Sequence, residues 1–289
     1  MTGWLVVNCF IGSKKFTEIY CLLLNAAKEK GINLVLKKTD ELVYEVSGGL
    51  KGITPPDFVI FWDKDIYLAK QLENLGIRLF NSASSIELCD NKALTALRLE
   101  KFGISSPKTV IAPKTFEGTG FNNMSFLDSA SKSVGFPMVI KEVFGSFGQQ
   151  VYLAENFKQA KEIIKSLGFK EFIMQEYIAE HKGMDIRINV VGRSVTSAML
   201  RFNNNDFRSN ISNGGISTVY TPTVEQCRIA IDACKAFGLD FAGVDILLGE
   251  NDVPLVCEIN SNPHFKSTLE CTGDNLAEDI LEYISECIK

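Results

Sequence analysis

The chain has 289 residues, enough for two or three compact units at the usual domain size of roughly 100–200 residues. Hydrophobic residues make up 46% and charged residues 22%, a globular composition that excludes a chain disordered throughout. With 30 basic and 35 acidic residues the formal charge is −5, so nothing draws the protein broadly to phosphate backbones and nucleic acid is not an expected partner.

In chain order, the first region alternates short β-rich runs with helical periodicity, the pattern of a layered α/β unit. Trp4 to Phe10 and Phe58 to Trp62 read as buried strands. Between them Phe16, Ile19, Tyr20, Leu23, Leu24 and Ala27 recur at helical spacing until Gly31 stops the run. A shorter helix, Ile66 to Leu75, ends at Gly76 and leads into Ile77 to Phe80, so a small doubly wound domain is expected over residues 1–88. Residues 89–172 read as a central α+β unit. It has a helix from Asn91 to Lys101, an extended segment Lys108 to Ala112 after Pro107, and a polar loop Pro113 to Asn123. A helix Phe126 to Ser133, strands Met138 to Val143 and Gln150 to Ala154, a helix Phe157 to Leu167 and a strand Phe172 to Gln175 follow. Residues 173–289 carry strands Asp185 to Val191 and Val195 to Arg201, then a polar loop at Asn203 to Asp206. A helix after Thr221-Pro222, read as N-cap and first-turn proline, runs to Gly238. Apolar strands Phe241 to Leu248 and Pro254 to Ile259 precede a last helix, Leu276 to Cys287.

The eight cysteines include no C-x-x-C pair and none beside His181 or His264, so no zinc site is indicated. In runs such as Val256-Cys257-Glu258 they read as reduced, buried small hydrophobes. That usage, an N-terminus without a basic leader, and no apolar run near the ~18 residues of a membrane span point to a cytoplasmic protein with no membrane partner.

The last two strands give the first chemical signal. If they form a symmetric hairpin centred between Asn251 and Asp252, Asp245 faces Glu258. Side-chain alternation then puts Asn260 on the same face, while Val244, Ile246, Cys257 and Ile259 point the other way. Like charges opposite one another on a sheet repel, so two carboxylates in an apolar hairpin call for a cation. Oxygen donors of this kind suit Mg²⁺ or Mn²⁺, which keep waters and bridge substrate phosphates. Taken alone, the pair reads equally well as solvated residues on a half-exposed sheet.

A phosphate-binding element is offered by Lys141-Glu142-Val143-Phe144-Gly145-Ser146-Phe147-Gly148, where a lysine ends a strand before a turn whose glycines let the backbone approach an anion. The sequence has neither a Walker P-loop nor a G-x-G-x-x-G fingerprint, and a Gly-x-x-Gly turn is also an ordinary hairpin connection. Arg187, Arg201 and Arg208 are anion clamps or, singly, surface ion-pair residues. Asp185 and Arg187 share one strand face.

Taken in order, these elements resemble the ATP-grasp superfamily, in its RimK-like branch of carboxylate–amine (α-L-glutamate type) ligases. The motifs are Asp90-Asn91-Lys92, Phe136-Pro137-Met138-Val139-Ile140-Lys141, Gln175-Glu176-Tyr177-Ile178 and Gly183-Met184-Asp185-Ile186-Arg187. They continue with Asp206-Phe207-Arg208-Ser209-Asn210, Gly243-Val244-Asp245-Ile246 and Glu258-Ile259-Asn260-Ser261-Asn262-Pro263. The resemblance spans about Asp90 to Ile284. It implies a multidomain α/β and α+β protein, an ATP-grasp fold behind an N-terminal doubly wound α/β (pre-ATP-grasp) domain, with ATP and Mg²⁺ (or Mn²⁺) as cofactors. By the same resemblance Lys92 and Lys141, with Gly145 and Ser146 of the glycine turn, meet the nucleotide phosphates. Gln175, Glu176, Tyr177 and Ile178 hold adenine, and Asp185 lines the site. Arg208, Ser209 and Asn210 face the phosphates and the acyl phosphate with Arg201 nearby, which makes Arg201, Arg208 and Asn210 the catalytic candidates. Asp245, Glu258 and Asn260 carry the metals.

The reaction so implied is phosphorylation of a small-molecule or peptide carboxylate by ATP, then attack of an amino-acid amine such as that of glutamate, giving an amide, ADP and phosphate. A phosphotransferase acting on a hydroxyl and a noncatalytic ATP-binding module are the rival classes, and a homo-oligomer is left open. The chain departs from the family pattern at Gln149-Gln150, where a third glycine is common, and at His264-Phe265-Lys266, where many relatives have small residues. An extended backbone there puts His264 and Lys266 on one side, beside the reacting carboxylate. With Arg187 they form the expected substrate contacts, Lys266 pairing an extra anionic group on the substrate.

Overall fold

The structure, a computed structural model, describes residues 1–49, 52–211 and 214–288. Strands β1 (Thr2–Val7), β2 (Asn33–Lys38), β3 (Phe58–Trp62) and β4 (Leu79–Phe80) form a parallel sheet in the order β2-β1-β3-β4. The alternation of its strands is that of a sheet buried on both faces. Leu5, Val7, Ile60 and Trp62 enter one core with α1 (Lys14–Glu29), while Trp4, Val6, Val59 and Phe61 enter another with α2 (Ile66–Asn74) and α3 (Ala83–Asp90). β1 ends sooner than Phe10, because the Asn8 side chain accepts the Phe10 N–H and turns the chain out of the sheet. β2 escapes the sequence pattern because it is an edge strand with exposed and half-buried positions only.

After α4 (Lys92–Lys101) come β5 (Thr109–Ile111), α5 (Ser125–Val134), β6 (Met138–Glu142), β7 (Val151–Ala154), α6 (Phe157–Ser166) and β8 (Phe172–Glu176). The four strands form an antiparallel sheet, β5-β8-β6-β7, packed on α5 and α6 through Leu127, Ala130, Ile164, Phe172 and Met174. Because β8 pairs with both β5 and β6, this sheet runs past the expected limit of the central unit at residue 172.

The third sheet has the order β11-β10-β9-β12-β13, from β9 (Met184–Val191), β10 (Ser194–Phe202), β11 (Ile216–Val219), β12 (Phe241–Leu248) and β13 (Pro254–Asn260). Helix α7 (Val224–Phe237) covers the face presenting Ile186, Ile188, Val190, Val244 and Ile246. Its N-cap is Thr223 rather than Thr221: the Thr223 hydroxyl accepts the Gln226 N–H at 3.2 Å and the Gln226 side chain accepts the Thr223 N–H at 2.9 Å, a reciprocal box that places Pro222 outside the helix. On the other side are α8 (Lys266–Thr272) and α9 (Leu276–Cys287). Ala277, Ile280, Leu281 and Ile284 of α9 share one core with α1, so the first and last regions are fused through apolar packing. All eight cysteines are free; Cys89 and Cys234 are buried whereas Cys21 and Cys287 are exposed, which limits the buried-thiol reading to part of the set. Among the described residues no helix is long and apolar enough to cross a membrane.

Asn81, fully buried just after β4, fastens the parallel sheet to the third sheet. Its Nδ2 donates to the carbonyls of Phe241 (2.9 Å) and Ser261 (2.8 Å), and its Oδ1 accepts the N–H groups of Asp240 (2.6 Å) and Phe241 (3.3 Å). One side chain thus satisfies four backbone groups. Each would cost about 1–3 kcal/mol if left buried and unpaired, so Asn81→Ala is expected to lower stability by at least about 3 kcal/mol in urea unfolding. A change below about 0.5 kcal/mol would contradict this account of how the regions are joined.

Candidate active site

Two openings meet on the polar face of the third sheet. The first is a cleft between the third and the middle sheets. Lys141 of β6, Gln175 and Glu176 of β8, and Tyr177 and Ile178 beyond it form one wall, and Lys92 and the turn carrying Gly145 and Ser146 close the end. Asp185, Arg208, Ser209, Asn210, Asp245 and Glu258 come from the opposite side. Every residue expected around a nucleotide therefore lines this one cleft. The second opening, about 860 Å³, lies between the parallel sheet and the third sheet and is lined by Arg187, Arg201, Asn260, His264 and Lys266. Ser146, Asn210 and Glu258 line both.

Local sequence explains how the cations are placed. Asn91 caps α4 by accepting the Leu94 N–H at 3.0 Å, which puts Lys92 at the first helical position with its ammonium donating to the Gly145 carbonyl at 3.0 Å. Burial lowers the Lys92 pKa, and Glu258 works against that shift. Lys141 is buried, and its Nζ lies 3.5 Å from the Cys257 Sγ. Lys64, immediately beyond β3, reaches the Ser146 hydroxyl at 3.2 Å and pairs with Asp90.

The sheet floor holds a closed set of charges. β9 pairs with β10 so that Asp185 faces Arg201, and with β12 so that Arg187 faces Asp245. Arg201 grips Asp185 through Nε and Nη2, both at 2.6 Å, and its Nη2 also lies 3.0 Å from Asp245 Oδ1. Arg187 holds Asp245 with its Nε on Oδ1 and its Nη2 on Oδ2. Gly243 is needed beside them, since a Cβ there would sit 3.1 Å from Arg187 Cδ and 2.9 Å from Pro263 Cβ. Burial pushes the Asp245 carboxyl up, but Arg187 and Arg201 outweigh it and hold the group below its ordinary value of 3.8. For Arg201 burial alone would lower the pKa, whereas Asp185 and Asp245 raise it. Asp185 Oδ2 also accepts the Ser209 hydroxyl at 2.5 Å, and Arg208 donates to the Gly148 carbonyl at 2.7 Å while paired with Asp206. These contacts tie the 206–210 segment to the sheet below and to the glycine turn above.

Asp245 faces Glu258 and Gly243 faces Asn260, as the hairpin argument requires. Nearer the turn, however, Ile246 pairs with Val256, so the register shifts at Cys257. This bulge sends Val256 and Ile259 into the core beneath α7 and puts both Cys257 and Glu258 on the cleft side, which corrects the expected inward direction of Cys257. The expected extended run at His264 to Lys266 is also corrected: Phe265 has helical dihedrals and Lys266 begins α8. The Lys266 ammonium is paired with Glu18 at 2.5 Å and Glu270 at 3.4 Å, so its charge is already matched. His264 Nε2 donates to the Lys15 carbonyl at 3.0 Å, and burial lowers its pKa.

Asp245, Glu258 and Asn260 offer oxygen donors of the kind a hard divalent cation takes. Among the described residues no group of three or more His, Cys, Asp or Glu is arranged to hold a metal, but Asn260 supplies the third donor type here. The Glu258 carboxylate, half-buried between the two openings, has no hydrogen-bond or ion-pair partner among the described residues. Asn260 Nδ2 points to the Gly243 carbonyl (3.4 Å) and Asp245 Oδ2 (3.5 Å). Glu258 and Asn260 therefore fit such an ion, with Asp245 shared between it and two guanidiniums.

Sequence reasoning passed over Lys64 and Asp63 beyond β3, Lys15 with its ammonium 3.5 Å from the Phe147 ring centre, and Phe207 edge-on to Tyr177. The first two carry one usable signal, since ligands of open parallel sheets sit at the carboxyl ends of the strands.

A family model described as a RimK-like ATP-grasp domain matches residues 89–284. A protein of Shewanella amazonensis called probable alpha-L-glutamate ligase 2 is 39% identical over 224 residues, 76% of this chain and 71% of that one. An uncharacterized protein of Mycoplasma genitalium is 30% identical over 267 residues, 91% of this chain and 92% of that one. The crystal structure of a RimK domain ATP-grasp protein from Sphaerobacter thermophilus superposes with a TM-score of 0.75 at 19% identity, covering 98% of this chain and 99% of that one.

The charge set separates two otherwise similar substitutions. Glu258→Gln should leave stability within about 0.5 kcal/mol, because among the described residues the carboxylate makes no hydrogen bond or ion pair and acts on Lys92 only at longer range. Asp245→Asn leaves two buried guanidiniums facing one carboxylate and should cost about 3 kcal/mol or more. Because the native Asp245 pKa is depressed, its contribution is complete above the unfolded value of about 3.9 and is lost as pH falls through the native value. Parent stability should accordingly drop below about pH 4, and Asp245→Asn should lose that part of the acid limb. Equal stability of both variants in urea titrations would contradict the assignment.

Proposed function

The chain belongs to the RimK-like ATP-grasp family and is an ATP-dependent ligase; from that premise we propose that it joins a carboxylate to an amino-acid amine through an acyl phosphate. The observation that carries this reading is the meeting of the lysine-lined cleft with the larger cavity at Ser146, Asn210 and Glu258. A nucleotide in the first presents its terminal phosphate to a carboxylate in the second only at that junction. Glutamate is the amine we favour, after the name of the Shewanella relative. The eight free cysteines suit a reducing cytoplasm.

Each step has a residue suited to it. Lys92 and Lys141, beside the Gly145-Ser146 turn, neutralise the phosphates. Glu258 and Asn260, with Asp245, would hold Mg²⁺, which when bound screens the charge on the transferring phosphoryl group. The substrate carboxylate attacks the terminal phosphorus and ADP leaves; the amine then attacks the acyl carbon, phosphate leaves and the amine gives up a proton. Arg187 and Arg201 use Nε and Nη2 for their carboxylates, so the Nη1 end of each lies outside those pairs and can meet the developing oxyanion at the cavity wall. No side-chain nucleophile is needed.

ADP release should require Mg²⁺, a carboxylate and an amine together, with an amide detectable by mass spectrometry. Glu258→Gln should lose at least about a hundredfold in turnover, and Lys141→Met should chiefly weaken ATP binding. Phosphorylation of an alcohol with no amide from any pairing would overturn the ligase reading in favour of a phosphotransferase.

A further inference from the structure

At the end of the large cavity formed by the carboxyl ends of β1 and β3, Asn8, Asp63 and Asn262 line one patch of wall. Asp63 is buried, and its Oδ1 accepts the Lys64 N–H at 2.6 Å and Asn8 Nδ2 at 3.3 Å. Its other oxygen, Oδ2, is buried without a hydrogen-bond partner among the described residues. So is Oδ1 of Asn262, whose Nδ2 donates to the Asp63 carbonyl at 3.0 Å. Two unmet acceptors, one of them anionic, thus belong to hydrogen-bonded neighbours on one wall. Unpaired buried acceptors are rare in folded proteins because each has surrendered its water without compensation. Of the other charges around the cavity, Glu18 and Glu270 are matched by Lys266, Lys64 by Asp90, and Arg187 and Arg201 by Asp245 and Asp185, while Lys15 lies over the Phe147 ring and Glu258 faces the junction with the cleft. Asp63 is held by backbone N–H groups and the Asn8 amide, and among the described residues no cation lies within ion-pair distance of it.

We propose that Asp63 and Asn262 form the subsite that holds the ammonium group of the amino-acid substrate, with Asn8 and the Lys64 N–H fixing the Asp63 carboxylate. The chemistry selects an ammonium because it carries a positive charge and three donors with no acceptor, and so supplies what both orphaned oxygens lack. A hydroxyl has one donor, and an amide, which has two, would still leave the charge unmatched. The inference rests on the ligase reading and gives its amine-bearing substrate a place.

The test uses the full-length protein with Mg²⁺ and a nonhydrolysable ATP analogue, titrated calorimetrically with the twenty standard L-amino acids and their N-acetyl counterparts. At least one free amino acid should bind, and N-acetylation, which removes the ammonium, should weaken it roughly tenfold to a hundredfold. Asp63→Asn and Asn262→Ala should each weaken the same amino acid about tenfold or more while the ATP analogue binds as in the parent. If Asp63→Asn fails to fold, Asn262→Ala and the N-acetyl comparison still decide. Binding of no free amino acid, equal binding of the acetylated form, or unchanged affinity in a folded variant would each overturn the subsite. Amide formation by the parent is scored separately: amide produced with unaltered amino-acid affinity in Asp63→Asn sinks the subsite alone, and Asp63-dependent binding without any amide sinks the ligase reading alone.

Discussion

On the floor of the third sheet Asp245, Arg187 and Arg201 are held out of water and Asp185 is largely covered, and a buried ion costs several kcal/mol unless every partner is in place. The register of β9 against β10 and β12 is what supplies those partners, because it sets Asp185 opposite Arg201 and Asp245 opposite Arg187. A slip of one residue would turn each charge into the apolar layer beneath α7 and each isoleucine of β9 into the cleft. The charge set therefore specifies the sheet as much as it serves the site. Through the Ser209 hydroxyl on Asp185 and Arg208 on the Gly148 carbonyl, it also fixes how the segment over the cleft joins the glycine turn.

What the sequence made legible follows the range of the forces involved. Helices α1, α2 and α9 and strands β3 and β12 could be read because their periodicity records a buried face contributed by the element itself. Edge strands β2 and β11 could not, since each has few buried positions to pattern. The Asp245–Glu258 pairing was legible from hairpin symmetry, but the bulge at Cys257 was not, because alternation carries no sign of an inserted residue. The same bulge is why Asp245 and Glu258 face one another although the turn is centred one half-step from where symmetry places it. The backbone and free charge expected at Lys266 were misread for a related reason: the residue lines the larger cavity, but its partners, Glu18 on α1 and Glu270 on its own helix, appear only once α8 and α1 are brought together.

Residues of the candidate cleft were legible from the sequence, as were Arg187, Arg201, Asn260, His264 and Lys266 of the larger cavity, whereas the part of its wall supplied by the parallel sheet was not. The cleft draws Lys141, Gln175 to Ile178, Arg208 to Asn210 and Glu258 from short runs whose spacing is local. The cavity draws Asn8, Asp63 and Lys64 from strand ends of the parallel sheet and Asn260 and Asn262 from the far end of the chain. No local pattern links residues so far apart. Their juxtaposition depends on Asn81 and on the apolar fusion of α1 with α9, both of which emerge only from packing.

The glycine turn is a wall of both openings, and this geometry constrains how they can act. Ser146 is bonded to Lys64 of the parallel sheet, Phe147 lies under the Lys15 ammonium and edge-on to Phe16, and Gly148 is bonded to Arg208 of the third sheet. The turn is thus gripped from the side of the larger cavity by residues of the first region and from the side of the cleft by the 206–210 segment. Phe147 holds a left-handed backbone conformation at φ 58°, which a phenylalanine adopts only when its surroundings determine it. The turn that bounds the cleft is therefore in direct contact with α1 through Phe16 and Lys15. The two openings share this turn as a wall, with Glu258 at their common edge.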